Sequence, residues 1–124
     1  RIDIQGSDFA DDITGSDGDE RFVLRQGNDT LDGGTGNDVL TAGGGRDTFV
    51  FRSGQDKISD MMPRLDRIAL DDTLWDGTLT AAQVVDQFAT VSKGQTVLSF
   101  EDGHRLTLGD FADTAGLIQA IDVI

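Results

Sequence analysis

Gly33-Gly34-Thr35-Gly36-Asn37-Asp38-Val39-Leu40-Thr41 has the form Gly-Gly-x-Gly-x-acid-x-apolar-x, and the chain around it repeats that form in steps of nine residues. Moving outward gives residues 6–14 (GSDFADDIT), 15–23 (GSDGDERFV), 24–32 (LRQGNDTLD), 42–50 (AGGGRDTFV) and 51–59 (FRSGQDKIS), so that six units follow one another in a single register. The apolar eighth position is Ile13, Phe22, Leu31, Leu40, Phe49 and Ile58, and the acidic sixth position is Asp11, Glu20, Asp29, Asp38, Asp47 and Asp56. Both columns are full. The fourth position is Gly18, Gly27, Gly36, Gly45 and Gly54, with Phe9 as the exception.

A fixed short period with a filled apolar column marks a stacked repeat. Glycine is required where a turn enters positive φ or where backbone carbonyls converge. Each unit therefore reads as a six-residue turn and a three-residue strand with its middle side chain inward. Two units make one coil, and units n and n+2 stack at the strand spacing of about 4.8 Å. This predicts an all-β chain: a right-handed parallel β-roll over residues 1–59, comprising a lead-in strand and six nonapeptides. Residues 60–124 are expected to form a C-terminal cap of strands, a hairpin and one or two short helices.

A cation midway between stacked turns would lie about 2.4 Å from each, within the calcium range and too far for magnesium. Carboxylate and carbonyl oxygens are hard ligands, which also suit calcium and exclude softer metals. Stacked carboxylates repel one another unless cations separate them, so the roll is expected to be unfolded or molten without calcium.

Composition points the same way. The chain has 124 residues, a net charge of −13, sixteen glycines, one proline and no cysteine. Such acidity argues for cations and against nucleic acid or anionic membranes as partners. The absence of cysteine excludes disulfides and thiolate metal sites. No apolar run reaches membrane-spanning length and no secretory signal opens the chain. Because it begins at Arg1, it is expected to be part of a longer protein, monomeric, whose upstream domain it adjoins.

On these residues the chain resembles the repeats-in-toxin (RTX) family, the parallel β-rolls of secreted alkaline metalloproteases, lipases, alginate epimerases and haemolysins. Asp56-Lys57-Ile58-Ser59-Asp60 and Asp66-Arg67-Ile68-Ala69-Leu70 are similar to the closing strand of the metalloprotease-type rolls. The resemblance implies that each ion is held by carbonyls of positions two and four and the acid of one turn. Carbonyls of positions one and three and the acid of the turn two units later complete the set. It thus implies a site from Arg25, Gly27 and Asp29 with Ala42, Gly44 and Asp47, and another from Gly34, Gly36 and Asp38 with Phe51, Ser53 and Asp56. A third would join Ser16, Gly18 and Glu20 to Gly33, Thr35 and Asp38, and a fourth Ser7, Phe9 and Asp11 to Leu24, Gln26 and Asp29. In the third, Glu20 is one methylene longer than aspartate; in the fourth, Phe9 replaces a glycine. Asp60 is expected to cap a further ion, giving about four Ca2+ within a range of two to five.

Beyond the repeats, the pattern stops at Met61-Met62-Pro63, and Arg64 stands where the family usually has glycine. Trp75 is either a substrate platform or a capping hydrophobe. Thr80-Ala81-Ala82-Gln83 has the form of a capping box, with Leu79 and Val84 as a staple and Val84, Val85 and Phe88 on one helical face. A hairpin is expected around Glu101–His104, with Phe100 opposite Leu106 and Leu98 opposite Leu108. His104 reads as a solvated turn residue. In the tail from Asp110, Leu117, Ile118 and Ile121 share a helical face; the family resemblance implies an uncleaved type I export signal here, and a final packing element of the cap is the alternative, which could hold at the same time.

No His-Glu-x-x-His motif, nucleophile elbow or thiol is present, so the chain is not expected to be an enzyme. The leading expectation is a secreted calcium-folded module serving export through a type I secretion apparatus. The alternative is a calcium-ordered surface that binds a polysaccharide or cell surface, for which exposed aromatics or a basic groove would speak.

Overall fold

Three-residue strands separated by glycine turns cannot pair with their sequence neighbours, so each must find its partner one full coil away. The computed structural model describes residues 2–41, 43–60, 66–109 and 111–124. The repeats supply β1 (Ile2–Gln5), β2 (Asp12–Thr14), β3 (Glu20–Val23), β4 (Thr30–Asp32), β5 (Val39–Thr41), β6 (Thr48–Phe51) and β7 (Gln55–Ile58). After them come β8 (Arg67–Leu70), α1 (Ala81–Phe88), β9 (Ala89–Ser92), β10 (Gln95–Ser99), β11 (Arg105–Leu108), α2 (Thr114–Ala120) and β12 (Ile121–Val123).

One sheet runs β1-β3-β5-β7-β11-β10-β9 and the other β12-β8-β6-β4-β2. Within the repeats all pairing is parallel and offset by two nonapeptides, with Ile4 beside Phe22, Phe22 beside Leu40 and Leu40 beside Ile58 in the first sheet. Ile13, Leu31 and Phe49 stack likewise in the second. These columns face each other across the interior, where Phe22, Leu31, Leu40, Phe49 and Ile58 are buried. The chain is a parallel β-solenoid of about three turns with two short helices.

The repeats end at residue 59, but the roll continues. Phe49 pairs with Ile68, Ile58 with Leu108 and Ile68 with Ile121, so β8, β11 and β12 add rungs to both apolar columns. Ile121 therefore lies in a strand and not on the α2 face expected for it, because pairing with Ile68 extends the buried column. The segment Met61-Met62-Pro63-Arg64 and Asp110 lie outside the described residues.

The cap follows its capping chemistry. Thr80 and Gln83 form a reciprocal capping box at the start of α1, whose Val84 and Val85 are buried. The hairpin register is shifted by two residues from the one expected: Leu98 faces Leu106 and Thr96 faces Leu108. Gly103, at φ 80°, lets Glu101–Gly103 close as a 3-10 turn, and the even shift preserves the apolar face. Trp75 is only 5% exposed and stacks on Phe88, which makes it a capping hydrophobe and not a platform. No helix among the described residues is long and apolar enough to cross a membrane.

Candidate metal centre

Alternation between two sheets divides the turns between two edges of the roll. Turns 6–11, 24–29 and 42–47 lead from the first sheet to the second, and turns 15–20, 33–38 and 51–56 lead back. Their acids form two files, Asp11–Asp29–Asp47 and Glu20–Asp38–Asp56.

Each file is a hydrogen-bonded ladder. Asp29 Oδ1 accepts the Asp11 N–H at 2.8 Å, Asp47 Oδ1 the Asp29 N–H at 3.0 Å, Asp38 Oδ1 the Glu20 N–H at 2.9 Å and Asp56 Oδ1 the Asp38 N–H at 2.9 Å. The first file has another member, for Asp66 Oδ1 accepts the Asp47 N–H at 3.0 Å. Sequence reading missed Asp66 as a ladder acid because β6 and β8 are offset by one extra residue. Its place two residues before the inward Ile68 is the signal that would have found it.

The second carboxylate oxygen is what distinguishes these acids from ordinary ladder acceptors. Oδ2 of Asp29, Asp38 and Asp47 is buried without a hydrogen-bond partner, and each of these residues is 1% exposed. A buried carboxylate oxygen with no donor is costly unless a positive charge meets it. Burial accordingly pushes the carboxyls of Asp47 and Asp56 up to about 7 and that of Asp38 up to about 6, and raises Asp29 as well. Neighbouring carboxylates add to each shift.

Backbone oxygens complete the surroundings. The Arg25 carbonyl approaches Gly43 so closely that a Cβ there would lie 1.9 Å from it, and the Gly36 carbonyl approaches Gly54 to within 2.0 Å of a Cβ position. Both glycines have positive φ. Ser16, Gly18 and Gly27 carbonyls likewise face the next turn on their edge, and the Phe9 carbonyl faces Gly27. The Gly33 carbonyl faces back toward Gly15.

Other candidate residues are placed as follows. Arg25 adopts the left-handed conformation, with φ 74°. Leu24 and Phe51 turn buried side chains into the core, and the Phe51 carbonyl accepts the Asp71 N–H at 3.1 Å, which engages it in the strand ladder. Gln26 packs beside Gly44, Thr35 donates to Asp17, Ser53 is half-buried, and Phe9 is 80% exposed. Asp60 Oδ2 accepts the Gly43 N–H at 2.7 Å. Ala42 lies outside the described residues.

Sequence reading also missed a second ladder running in the opposite sense. Asp19 accepts the Asn37 N–H, Asn37 the Gln55 N–H, and Asn28 the Arg46 N–H. The Asp/Asn recurrence at position five was its signal. His104 is half-buried, and its Nδ1 accepts the Gly54 N–H at 3.0 Å. It pins the hairpin to the last turn.

Among the described residues no three His, Cys, Asp or Glu side chains cluster as a metal group. The files explain this, since each interval between rungs offers two carboxylates and otherwise carbonyls. That donor set fits calcium and suits no soft metal.

The model of the RTX calcium-binding nonapeptide repeat matches residues 3–31 and 25–58, in four copies. Residues 3–58 are RTX calcium-binding repeats. Two solved relatives of this RTX roll are the AlgE6R2 and AlgE6R3 subunits of the Azotobacter vinelandii mannuronan C5-epimerase. The former is 28% identical with a TM-score of 0.66, covering 95% of this chain and 90% of that one. The latter is 29% identical with a TM-score of 0.55, covering 94% and 80%. The extracellular lipase LipA of Serratia marcescens shares the fold at 22% identity and a TM-score of 0.59, with 96% of this chain matching 20% of the lipase. No curated protein matches the chain.

Proposed function

We propose that this chain is a calcium-triggered folding module of a larger secreted protein, disordered where calcium is scarce and folded where it is plentiful. The observation that carries the reading is the orphaned Oδ2 of Asp29, Asp38 and Asp47, each buried in a turn where carbonyls converge. Calcium, when bound, neutralises those carboxylates. The chain itself supplies Asp29 with Asp47, Asp38 with Asp56, and Asp47 with Asp66 as the acid pairs bordering successive intervals, with Asp60 beside the last. Extracellular calcium modules typically bind at about 0.1–1 mM. Several intervals filling together make folding a steep function of calcium.

In this reading the module serves passage through a type I secretion apparatus as an unfolded chain, and stability afterwards. It is not itself catalytic. Circular dichroism against calcium tests the switch, with β-structure expected to appear on addition and magnesium to substitute poorly. A β-rich spectrum that persists in excess chelator would refute it.

One observation favours a second role. A groove of about 270 Å³ on the first sheet is lined by Lys57 and Arg105 together with Asn37, Gln55, Thr107 and the turn acids Asp38 and Asp56, among others. Arg52 and Arg67 are engaged in ion pairs with Asp32, Asp71 and Asp122, whereas Lys57 and Arg105 are exposed at this groove. Since the similar subunits belong to a mannuronan epimerase, an anionic uronate polymer is the ligand to try. Retardation in an alginate-containing gel that is lost in Lys57→Ala/Arg105→Ala supports it; no retardation of the folded protein leaves the switch alone.

A further inference from the structure

Although the turns share one repeat, five of their six acids divide into two kinds, Asp56 standing outside both. Where Oδ2 is orphaned, in the turns of Asp29, Asp38 and Asp47, position two is Arg25, Gly34 or Gly43, at φ 74°, 79° and 79°. At Asp11 and Glu20, position two is Ser7 or Ser16, neither of which is left-handed. The Ser7 N–H donates to Asp11 Oδ2 at 2.9 Å and its hydroxyl to Oδ1 at 3.0 Å. The Ser16 N–H donates to Glu20 Oε1 at 3.1 Å, and its hydroxyl donates to Oε2. Each hydroxyl also accepts the N–H two residues on, from Phe9 or Gly18, at 3.2 Å.

Both oxygens of these two acids thus receive donors from within their own turn. Charge-assisted donation of this kind stabilises an ionised carboxylate without a cation. We propose that Ser7 and Ser16 close the first two turns against calcium, so that ions enter only the intervals from turns 24–29 and 33–38 onward. The intervals Asp11/Asp29 and Glu20/Asp38 are then joined by the acid-to-amide ladder and the serine donors alone. This inference rests on the calcium reading of the roll and adds to it a boundary: a metal-free N-terminal end on a metal-filled middle.

Ser16→Gly removes the hydroxyl and restores the Gly-Gly opening of the repeat; Ser7→Gly does the same one unit earlier. Calcium bound per chain would be counted by equilibrium dialysis and titration calorimetry, with circular dichroism confirming that each variant folds at saturating calcium. The unmodified protein is expected to leave both N-terminal intervals empty, and each variant to take up one additional ion. Ser16→Thr, which keeps a hydroxyl, is expected to match the unmodified count. Ions in every interval of the unmodified protein, or an unchanged count in Ser16→Gly, would overturn the proposal. If Ser7→Gly fails to fold, Ser16→Gly and the unmodified count decide the matter. No calcium uptake by the unmodified protein would instead defeat the underlying reading.

Discussion

Asp38 gives its backbone N–H to Asp56 Oδ1 at 2.9 Å while its own Oδ1 takes the Glu20 N–H at 2.9 Å, which makes it the middle link of its file. Truncating it leaves the Glu20 amide buried without an acceptor, at a cost of about 1–3 kcal/mol. It also removes the acid bordering the interval to Asp56. Asp11 heads its file, is half-buried, and among the described residues takes its donors from Ser7. Asp38→Ala should therefore raise the calcium midpoint of folding by about tenfold or more, and Asp11→Ala by no more than about twofold. Equal midpoints in a circular dichroism titration would remove the special place of Asp38.

Acid should partly replace calcium. With the carboxyls of Asp47 and Asp56 up to about 7 and that of Asp38 up to about 6, against 3.8 ordinarily, the folded roll keeps protons that the unfolded chain has lost. A raised carboxylate pKa means stability that is present below the ordinary pKa and lost as pH rises through the folded one. In excess chelator, lowering the pH from about 8 to about 5 is expected to increase β-structure, and in calcium the midpoint should rise over the same window as protons compete. A chelated chain that loses order on acidification would contradict this.

The fold was legible because the acid and apolar columns each carry one residue type at one spacing, as Phe22, Leu40 and Ile58 illustrate by stacking two units apart. What escaped depended on breaks in that spacing. Asp66 falls one residue out of step, and Leu106, Leu108 and Ile121 join the rungs from about 50 residues away, where no period announces them. The division of the acids into orphaned and serine-bonded kinds was also hidden, because it depends on backbone conformation at position two and not on the acid itself.

Gly43 offers a steric test of carbonyl convergence. An alanine there, at φ 79°, meets both the left-handed penalty of about 1–2 kcal/mol and a Cβ 1.9 Å from the Arg25 carbonyl. Gly77, at φ 87° with nothing within 4 Å, meets the penalty alone. At saturating calcium Gly43→Ala should melt well below Gly77→Ala, and only the former should raise the calcium midpoint. Matching behaviour in thermal melts and calcium titrations would mean that the Arg25 carbonyl is not pressed into the stack.

Calcium should also govern the cap. Phe51 opens the last repeat, and its ring lies 6.0 Å from Phe100, which lies 6.0 Å from Trp75 and 5.1 Å from Phe88. Across the same turn, Gly54 donates its N–H to His104 and accepts the Arg105 N–H, and β7 pairs with β11. The hairpin can dock only on a turn already in place, and that turn carries Asp56. Trp75 emission is therefore expected to shift to the blue with the same calcium midpoint as the β-sheet signal. Phe51→Ala, at a cost of about 3–5 kcal/mol for a buried ring, should raise both midpoints together. A Trp75 that is already shielded in chelator, with a midpoint unrelated to that of the sheet, would show that the cap folds on its own.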